Sequence, residues 1–121
     1  MERTVMIVEE TGSVRDLLRK ILETSGYVVV AEADNGAEAL VRYAELRPAI
    51  TIMAVMIPVK NGIAATKDIV SFDKNAKVVM CSTLSHNELI NAANEAGARD
   101  YICKPFTISK IQDVLHRVML Q

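Results

Sequence analysis

The sequence predicts an α/β fold, a three-layer sandwich with helices on both faces of a parallel sheet. Five short apolar runs alternate with five segments of helical periodicity, which is typical of right-handed βαβ units. The apolar runs are nearly continuous, as expected of strands that are covered on both faces. Half of the 121 residues are hydrophobic, so we predict a single packed domain over residues 1–121.

The first half of the chain is predicted from changes in the apolar period. Thr4–Val8 is a β-branched apolar run, which predicts a strand. After Ser13, the predicted N-cap, apolar residues recur with helical spacing, which predicts an amphipathic helix that ends at Gly26. The elements that follow are a strand at Val28–Ala31, a helix at Ala37–Leu46 and a strand at Ile50–Val55.

The second half repeats the same alternation. Pro58 and Asn61-Gly62 predict a turn, and the helix after it is the least regular because it contains Thr66. Gly97 is predicted to end the fourth helix. The elements of this half are helices at Ile63–Phe72 and Ser85–Ala96, strands at Lys77–Cys81 and Asp100–Cys103, and a last helix with an apolar stripe from Ile108 to Met119.

Composition and charge exclude several functional classes. The 14 basic and 15 acidic residues give a net charge of −1, so the basic field that nucleic-acid binding requires is missing. The longest apolar stretch, residues 49–59, is too short to span a bilayer, and no signal peptide is evident. Cys81 and Cys103 are expected to be buried thiols on neighbouring strands rather than a disulfide. We therefore expect a cytoplasmic protein that binds no nucleic acid and does not insert into a membrane.

Polar and charged side chains follow several of the predicted strands. In an open parallel sheet, ligands bind beyond the carboxyl ends of the strands, so these side chains are expected to converge at one rim. Two carboxylates, two hydroxyls and an amine are expected there. The residues are Glu9 and Glu10 after the first strand, Val55-Met56 just past Ala54 in the third, Ser82 and Thr83 after the fourth, and Lys104 after the fifth.

With these motifs the chain resembles the receiver domains of two-component response regulators, closest to the single-domain chemotaxis CheY type. The resemblance covers the whole chain and implies a flavodoxin-like (CheY-like) fold with five parallel strands in the order 2-1-3-4-5 and five helices. It also implies a role in phosphorelay signal transduction rather than enzymatic activity. The motifs that carry it are Val5–Glu10, Ala33–Gly36, Met56–Pro58 with Asn61-Gly62, Val78–Ser82, Gly97-Ala98 and Tyr101–Phe106.

The resemblance implies a phosphorylation switch. In the family, a kinase's phosphohistidine donates a phosphoryl group to an aspartate that ends the third strand. That aspartate, an acidic pair and a main-chain carbonyl hold Mg²⁺, a hydroxyl and a lysine bind the phosphoryl oxygens, and an aromatic residue changes rotamer. The matching positions are Glu9 and Glu10 for the acidic pair, where the family usually has at least one aspartate, the carbonyl of Met56, the hydroxyl of Ser82, Lys104, and Tyr101 as the aromatic switch.

The acceptor position, four residues before Pro58, is Ala54, and a methyl group neither attacks phosphorus nor binds a metal. Without that carboxylate, Glu9, Glu10 and Lys104 leave a charge of about −1, which Mg²⁺ would exceed, and Mg²⁺ requires near-ideal octahedral geometry. We expect Mg²⁺ binding to be weak or absent and no other cofactor. An unpaired lysine in a partly buried pocket is costly, so a glutamate at 9 or 10 is expected to pair with Lys104 and hold the pocket in one state.

A polar stripe on the fourth predicted helix is a candidate partner surface. Asn87, Asn91 and Asn94 fall at i, i+4 and i+7, and uncharged amides cost little to desolvate, although a merely solvated face fits the pattern as well. In the family, the fourth helix, fifth strand and fifth helix meet partners. We therefore expect a protein partner here, beside Tyr101, such as a histidine kinase or a chemotaxis component.

Three functional hypotheses remain open. The first is an atypical receiver, a signalling protein that binds its partner without phosphoryl transfer. The second is a conventional phosphorylation switch that either has been silenced by a substitution at position 54 or accepts the phosphoryl group at another residue. The third, a flavodoxin-like cofactor binder, is disfavoured because Glu9 and Glu10 place negative charge where a phosphate would have to be bound.

Overall fold

The computed structural model describes residues 2–121, and Met1 lies outside the described part. Over that range five strands alternate with five helices. The elements are β1 Thr4–Val8, α1 Gly12–Thr24, β2 Val28–Ala33, α2 Gly36–Leu46, β3 Ile50–Ala54, α3 Gly62–Phe72, β4 Val78–Ser82, α4 Asn87–Ala96, β5 Asp100–Cys103 and α5 Ile108–Met119.

The five strands form one parallel sheet in the order β2-β1-β3-β4-β5. This confirms both the predicted fold class and the strand order that the resemblance implied. Ala54 at the end of β3 lies opposite Cys81 in β4, and Ser82 lies opposite Cys103 in β5. The carboxyl ends of these strands therefore meet at one edge of the sheet, which we call the carboxyl edge.

The core has two parts, one on each face of the sheet. Leu18 and Leu22 of α1 pack with Leu115 of α5 on one face. Tyr43 of α2 and Ile69 of α3 belong to the cluster on the other face, which α4 also joins. The three-layer arrangement follows, with α1 and α5 on one side and α2, α3 and α4 on the other. Among residues 2–121, none of the helices has the length and apolar character that crossing a bilayer requires.

Several predicted element ends are wrong. Thr11, not Ser13, is the N-cap of α1, because Thr11 has extended backbone angles and its carbonyl already accepts the N–H of Val14 and Arg15. β2 continues two residues further than predicted, to Ala33, β3 ends one residue earlier, and α4 begins at residue 87 because the preceding residue is still extended. These differences are local and leave the order of elements unchanged.

The loop after β3 is held tightly against the sheet. The Asn61 side chain caps α3 by accepting the N–H of Ala64, and the Gly62 N–H donates to the carbonyl of Val55 at 2.9 Å. A Cβ on residue 62 would lie 1.9 Å from the carbonyl oxygen of Ala54. Only glycine fits at that distance. The glycine of the predicted Asn61-Gly62 turn is therefore required because the end of β3 passes so close to its backbone.

Candidate functional site

A partly buried ion pair lies at the carboxyl edge. Lys104 Nζ lies 2.5 Å from Glu9 Oε1, and the two side chains are 19% and 7% exposed. The second carboxylate oxygen, Oε2, accepts the N–H of Thr11 at 3.0 Å. Both oxygens of Glu9 are thus engaged, and the prediction that a glutamate at 9 or 10 pairs with Lys104 is confirmed for Glu9.

Glu10 lies outside this pair. The sequence places it beside Glu9 in the pocket, but its side chain is exposed. Its carbonyl oxygen accepts a hydrogen bond from Arg15 at 3.0 Å. The chain has left β1 at this point, and successive side chains of extended backbone project in opposite directions. Glu10 therefore takes no part in the ion pair, and its membership of the pocket stays a prediction.

Arg15 holds the loop that carries Glu9, and the sequence analysis missed it. Its guanidinium donates to the carbonyl oxygens of Glu9 at 2.7 Å and Glu10 at 3.0 Å. Its Nε lies 3.4 Å from Glu32, which also pairs with Arg19 at 3.3 Å. A cation in the first turn of a helix opposes the helix dipole. An arginine at that position was the sequence signal that could have revealed a compensating contact.

Ala54 and Ser82 lie buried at the same edge, and Thr83 is exposed. The Ser82 Oγ accepts the N–H of Leu84 at 3.1 Å, and the carbonyl of Ser82 accepts the N–H of Lys104 at 2.7 Å. Of the two hydroxyls predicted at the rim, the structure therefore brings only Ser82 into the buried part. Thr83 lies on the surface because it follows the end of β4, where the chain turns out of the sheet.

The two cysteines differ in their surroundings. Burial raises the pKa of the Cys81 thiol to about 11, with the charge of Lys104 opposing that rise and the charge of Glu9 adding to it. Cys81 therefore stays a thiol at neutral pH and is a poor nucleophile. Cys103 is also free but exposed, so the prediction of two buried thiols is wrong for Cys103. It is the last residue of β5, which is an outer strand of the sheet.

The two predicted switch residues hold the same loop residue. Tyr101 donates its hydroxyl to the carbonyl oxygen of Leu84 at 2.7 Å, and Ser82 accepts the Leu84 N–H. Burial raises the pKa of Tyr101, so the phenol is a neutral donor. The loop between β4 and α4 is thus tied at one residue to both β4 and β5. A switching role for these residues stays a prediction.

The predicted polar stripe lies on the surface of α4. Asn87, Asn91 and Asn94 are all exposed, and Ala93 on the other side of the helix is buried in the core. Tyr101 of the adjacent β5 is half-buried. The arrangement agrees with the predicted helix orientation, and binding of a partner to this face stays a prediction.

The residues at the carboxyl edge do not fit the family's Mg²⁺ site. Both oxygens of Glu9 are engaged, Glu10 is exposed, and Ala54 offers no side-chain ligand. Met56 has only its carbonyl to offer, and its side chain is exposed. Within residues 2–121, no three His, Cys, Asp or Glu side chains are grouped closely enough to hold a metal ion. Mg²⁺ prefers an octahedron of oxygen ligands, which this arrangement does not supply.

Comparison with known proteins decides the family. Residues 5–116 match the family described as the response regulator receiver domain. The chain belongs to this family. This receiver is 40% identical over 118 residues to the chemotaxis protein CheY of Thermotoga maritima, covering 98% of both chains. It is also 40% identical over 115 residues to the protein CcdB of Bacillus subtilis, covering 95% of this chain and 96% of that one.

The solved structures agree with the family assignment. The receiver superposes with a TM-score of 0.94 and 28% identity on a chain of the CheX–CheY–BeF₃–Mg²⁺ complex from Borrelia burgdorferi, covering 98% of this chain and 90% of that chain. The predicted family, fold and place in two-component signalling are therefore confirmed. Receiver domains are signalling modules rather than classical enzymes.

Proposed function

We propose that this receiver is a protein-interaction module of two-component signalling that works without phosphorylation. The observation that carries the proposal is the contact between Glu9 and Lys104 beside the buried Ala54. In the family's mechanism, the lysine must be free to bind a phosphoryl oxygen. Here its ammonium is already neutralised by a carboxylate from the same chain, so the internal ion pair occupies the place of the ligand.

Energetics support a pocket that stays in one state. Separating the buried Glu9 carboxylate from the partly buried Lys104 ammonium leaves each charge without a partner and is unfavourable. A phosphoryl group entering the pocket would have to displace Glu9 from Lys104 and would also lack a nucleophile at Ala54. Mg²⁺ would have to displace the same carboxylate from the Thr11 N–H. We therefore propose that Mg²⁺ binding is weak or absent.

The proposed partner surface is formed by α4, β5 and α5, with Asn87, Asn91, Asn94 and Tyr101 at its centre. Exposed amides support this choice because they exchange water for partner hydrogen bonds without a charge-desolvation cost. A histidine kinase or a chemotaxis component is the proposed partner. The CheX–CheY complex is an example in which a chemotaxis receiver binds another protein.

An NMR titration tests whether the pocket binds Mg²⁺ or a phosphoryl group. The wild-type protein is titrated with Mg²⁺ and then with beryllofluoride or acetyl phosphate, with a receiver that carries the acceptor aspartate as the positive control for the reagents. We expect no saturable shifts at Ser82, Tyr101 or Lys104. Saturable shifts there, together with a phosphoryl adduct in the mass spectrum, would show that another residue accepts phosphate and would overturn the proposal.

The variant Ala54→Asp separates the proposal from its main alternative. If a substitution at position 54 merely silenced a working switch, restoring the aspartate should restore Mg²⁺-dependent labelling by acetyl phosphate. We expect Ala54→Asp alone to remain unlabelled because Glu9 still occupies Lys104. We expect Ala54→Asp combined with Glu9→Asp to label more readily than Ala54→Asp alone, since the shorter side chain releases the lysine.

A further inference from the structure

An apolar groove runs between α3 and α4, and the α4 residues that line it are not those of the stripe of Asn87, Asn91 and Asn94. A hollow of about 340 Å³ lies where the β3–α3 loop meets the two helices, and Val55, Met56, Ile63 and Leu89 line it. A second hollow, of about 320 Å³, shares Ile63 with the first and continues between the helices to Ala96. Together they form one furrow, which we call the α3–α4 groove.

Two apolar side chains of the β3–α3 loop are exposed, and one of them, Met56, lines the groove. Met56 is 69% exposed and Val59 is 82% exposed. Val59 has φ of +70°, a conformation that β-branched residues rarely adopt. The loop is held in this conformation, since the Lys60 N–H and the Gly36 N–H both donate to the Pro58 carbonyl, at 2.8 and 3.3 Å. Neither Met56 nor Val59 is covered by the rest of residues 2–121.

The two walls of the groove carry opposite charges. Lys67 lies on the α3 wall and Glu95 on the α4 wall of the same hollow, and both are exposed. A two-fold axis brings the same surface of two copies together, so a protruding side chain of one copy can meet the hollow of the other and a cation can meet an anion.

We propose that the α3–α4 groove binds a second copy of this chain. In this isologous dimer, Met56 of each copy enters the groove of the other, and Lys67 of each faces Glu95 of the other. The net charge of −1 per chain produces little repulsion between copies. This surface is separate from the ion pair of Glu9 and Lys104, so the proposal does not depend on whether the pocket accepts phosphate.

Charge reversal with a mixing experiment tests the pairing. Sedimentation velocity is measured for the wild type, Lys67→Glu and Glu95→Lys at about 5 to about 500 µM, the range in which weak complexes form. We expect the wild type to approach twice the 13.3 kDa mass of one chain. Each single reversal should lower the association constant about tenfold or more, and an equimolar mixture of the two should restore it because both charge pairs then match.

Matched variants on other surfaces control for net charge and hydrophobicity. Lys20→Glu and Glu23→Lys make the same charge changes on exposed positions of α1 and should leave association unchanged. Met56→Lys should abolish association, whereas Val28→Lys, at an exposed position of β2, should not. A wild type that stays monomeric throughout the range would overturn the proposal. So would single reversals that associate like the wild type, or a mixture that fails to recover.

Discussion

Charged side chains are arranged differently at the carboxyl edge of the sheet and at the opposite edge, where the strands begin. At the carboxyl edge, Glu9 and Lys104 form a nearly buried ion pair. At the opposite edge, near the C-terminal ends of α2 and α3, the buried Tyr43 donates its hydroxyl to Asp73 at 2.8 Å, and Arg47 lies 3.5 Å from the same carboxylate. The second group, with Phe72 packed edge-on against Tyr43, is called the Tyr43–Asp73 cluster below.

The comparison shows which charges depend most on their partners. The ammonium of Lys104 has lost much of its contact with water, so its carboxylate partner must supply the compensation. Arg47 is largely exposed, so solvent screens its charge and its contact with Asp73 contributes little. The hydrogen bond from Tyr43 is the stronger element there, because it joins a buried donor to a carboxylate.

The largest effect is expected from Glu9→Gln. This variant keeps an acceptor for the Thr11 N–H but leaves Lys104 without a counter-charge, so it should lower the free energy of unfolding by about 3 kcal/mol. Urea denaturation measures the change. Glu10→Gln is the matched control and should stay within about 0.5 kcal/mol of wild type because Glu10 is exposed. If both variants are as stable as wild type, the ion pair of Glu9 and Lys104 does not hold the pocket in one state.

A smaller loss is expected from Tyr43→Phe at the other edge. It removes a hydrogen bond to a carboxylate while keeping the ring in the core, which should cost about 2 kcal/mol. Thermal and urea unfolding would report it. Arg47→Gln, which removes only the exposed charge, should cost less than about 1 kcal/mol. If Arg47→Gln costs more than Tyr43→Phe, the ion pair rather than the hydrogen bond stabilises this cluster.

The pH dependence of stability should carry the signature of the Tyr43–Asp73 cluster. The hydrogen bond from Tyr43 lowers the pKa of Asp73. The pKa of Tyr43 is raised mainly by burial and to a smaller extent by the same hydrogen bond. A lowered carboxyl pKa adds stability above its unfolded value of about 4, and this stability is lost as the pH falls through the folded value. The raised tyrosine pKa adds stability below about pH 10 that is lost on further alkalisation.

Comparing wild type with Tyr43→Phe isolates this contribution. Urea unfolding at a series of pH values should show that the difference between the two proteins is largest near neutral pH and shrinks toward pH 2. A difference that stays constant down to that pH would mean that Asp73 does not titrate with the cluster.

The smallest effect is expected in β3, the central strand of the sheet. Thr51, the second residue of β3, is fully buried, and its hydroxyl finds no hydrogen-bond partner among residues 2–121. Thr51→Val should therefore raise the free energy of unfolding by about 1 kcal/mol. Thr66→Val is the matched control and should lower it by a similar amount, because the buried Thr66 hydroxyl donates to the Gly62 carbonyl at 2.7 Å. If both variants are destabilised, the Thr51 hydroxyl has a hydrogen-bond partner in solution.

Much of the candidate site could be predicted from local pattern. Strand ends identified Glu9, Ala54, Ser82 and Lys104 at the carboxyl edge, because parallel strands bring their carboxyl ends to one edge. The same reasoning did not separate the buried Glu9 and Ser82 from their exposed neighbours Glu10 and Thr83. Strand-end position alone does not say in which direction the chain turns after the sheet.

The sequence by itself determined the order of elements, the two faces of the sheet and the absence of an acidic side chain at position 54. These properties depend on periods of two and of 3.6 residues, which neighbours along the chain establish. Only the tertiary structure decided that Glu9 rather than Glu10 pairs with a lysine 95 residues away. The same is true of the hydrogen bonds by which Arg15 holds the loop after β1, and of the contact between Tyr43 and Asp73. Those contacts depend on register and on loop paths, which are set when distant elements pack against each other and not by any local pattern.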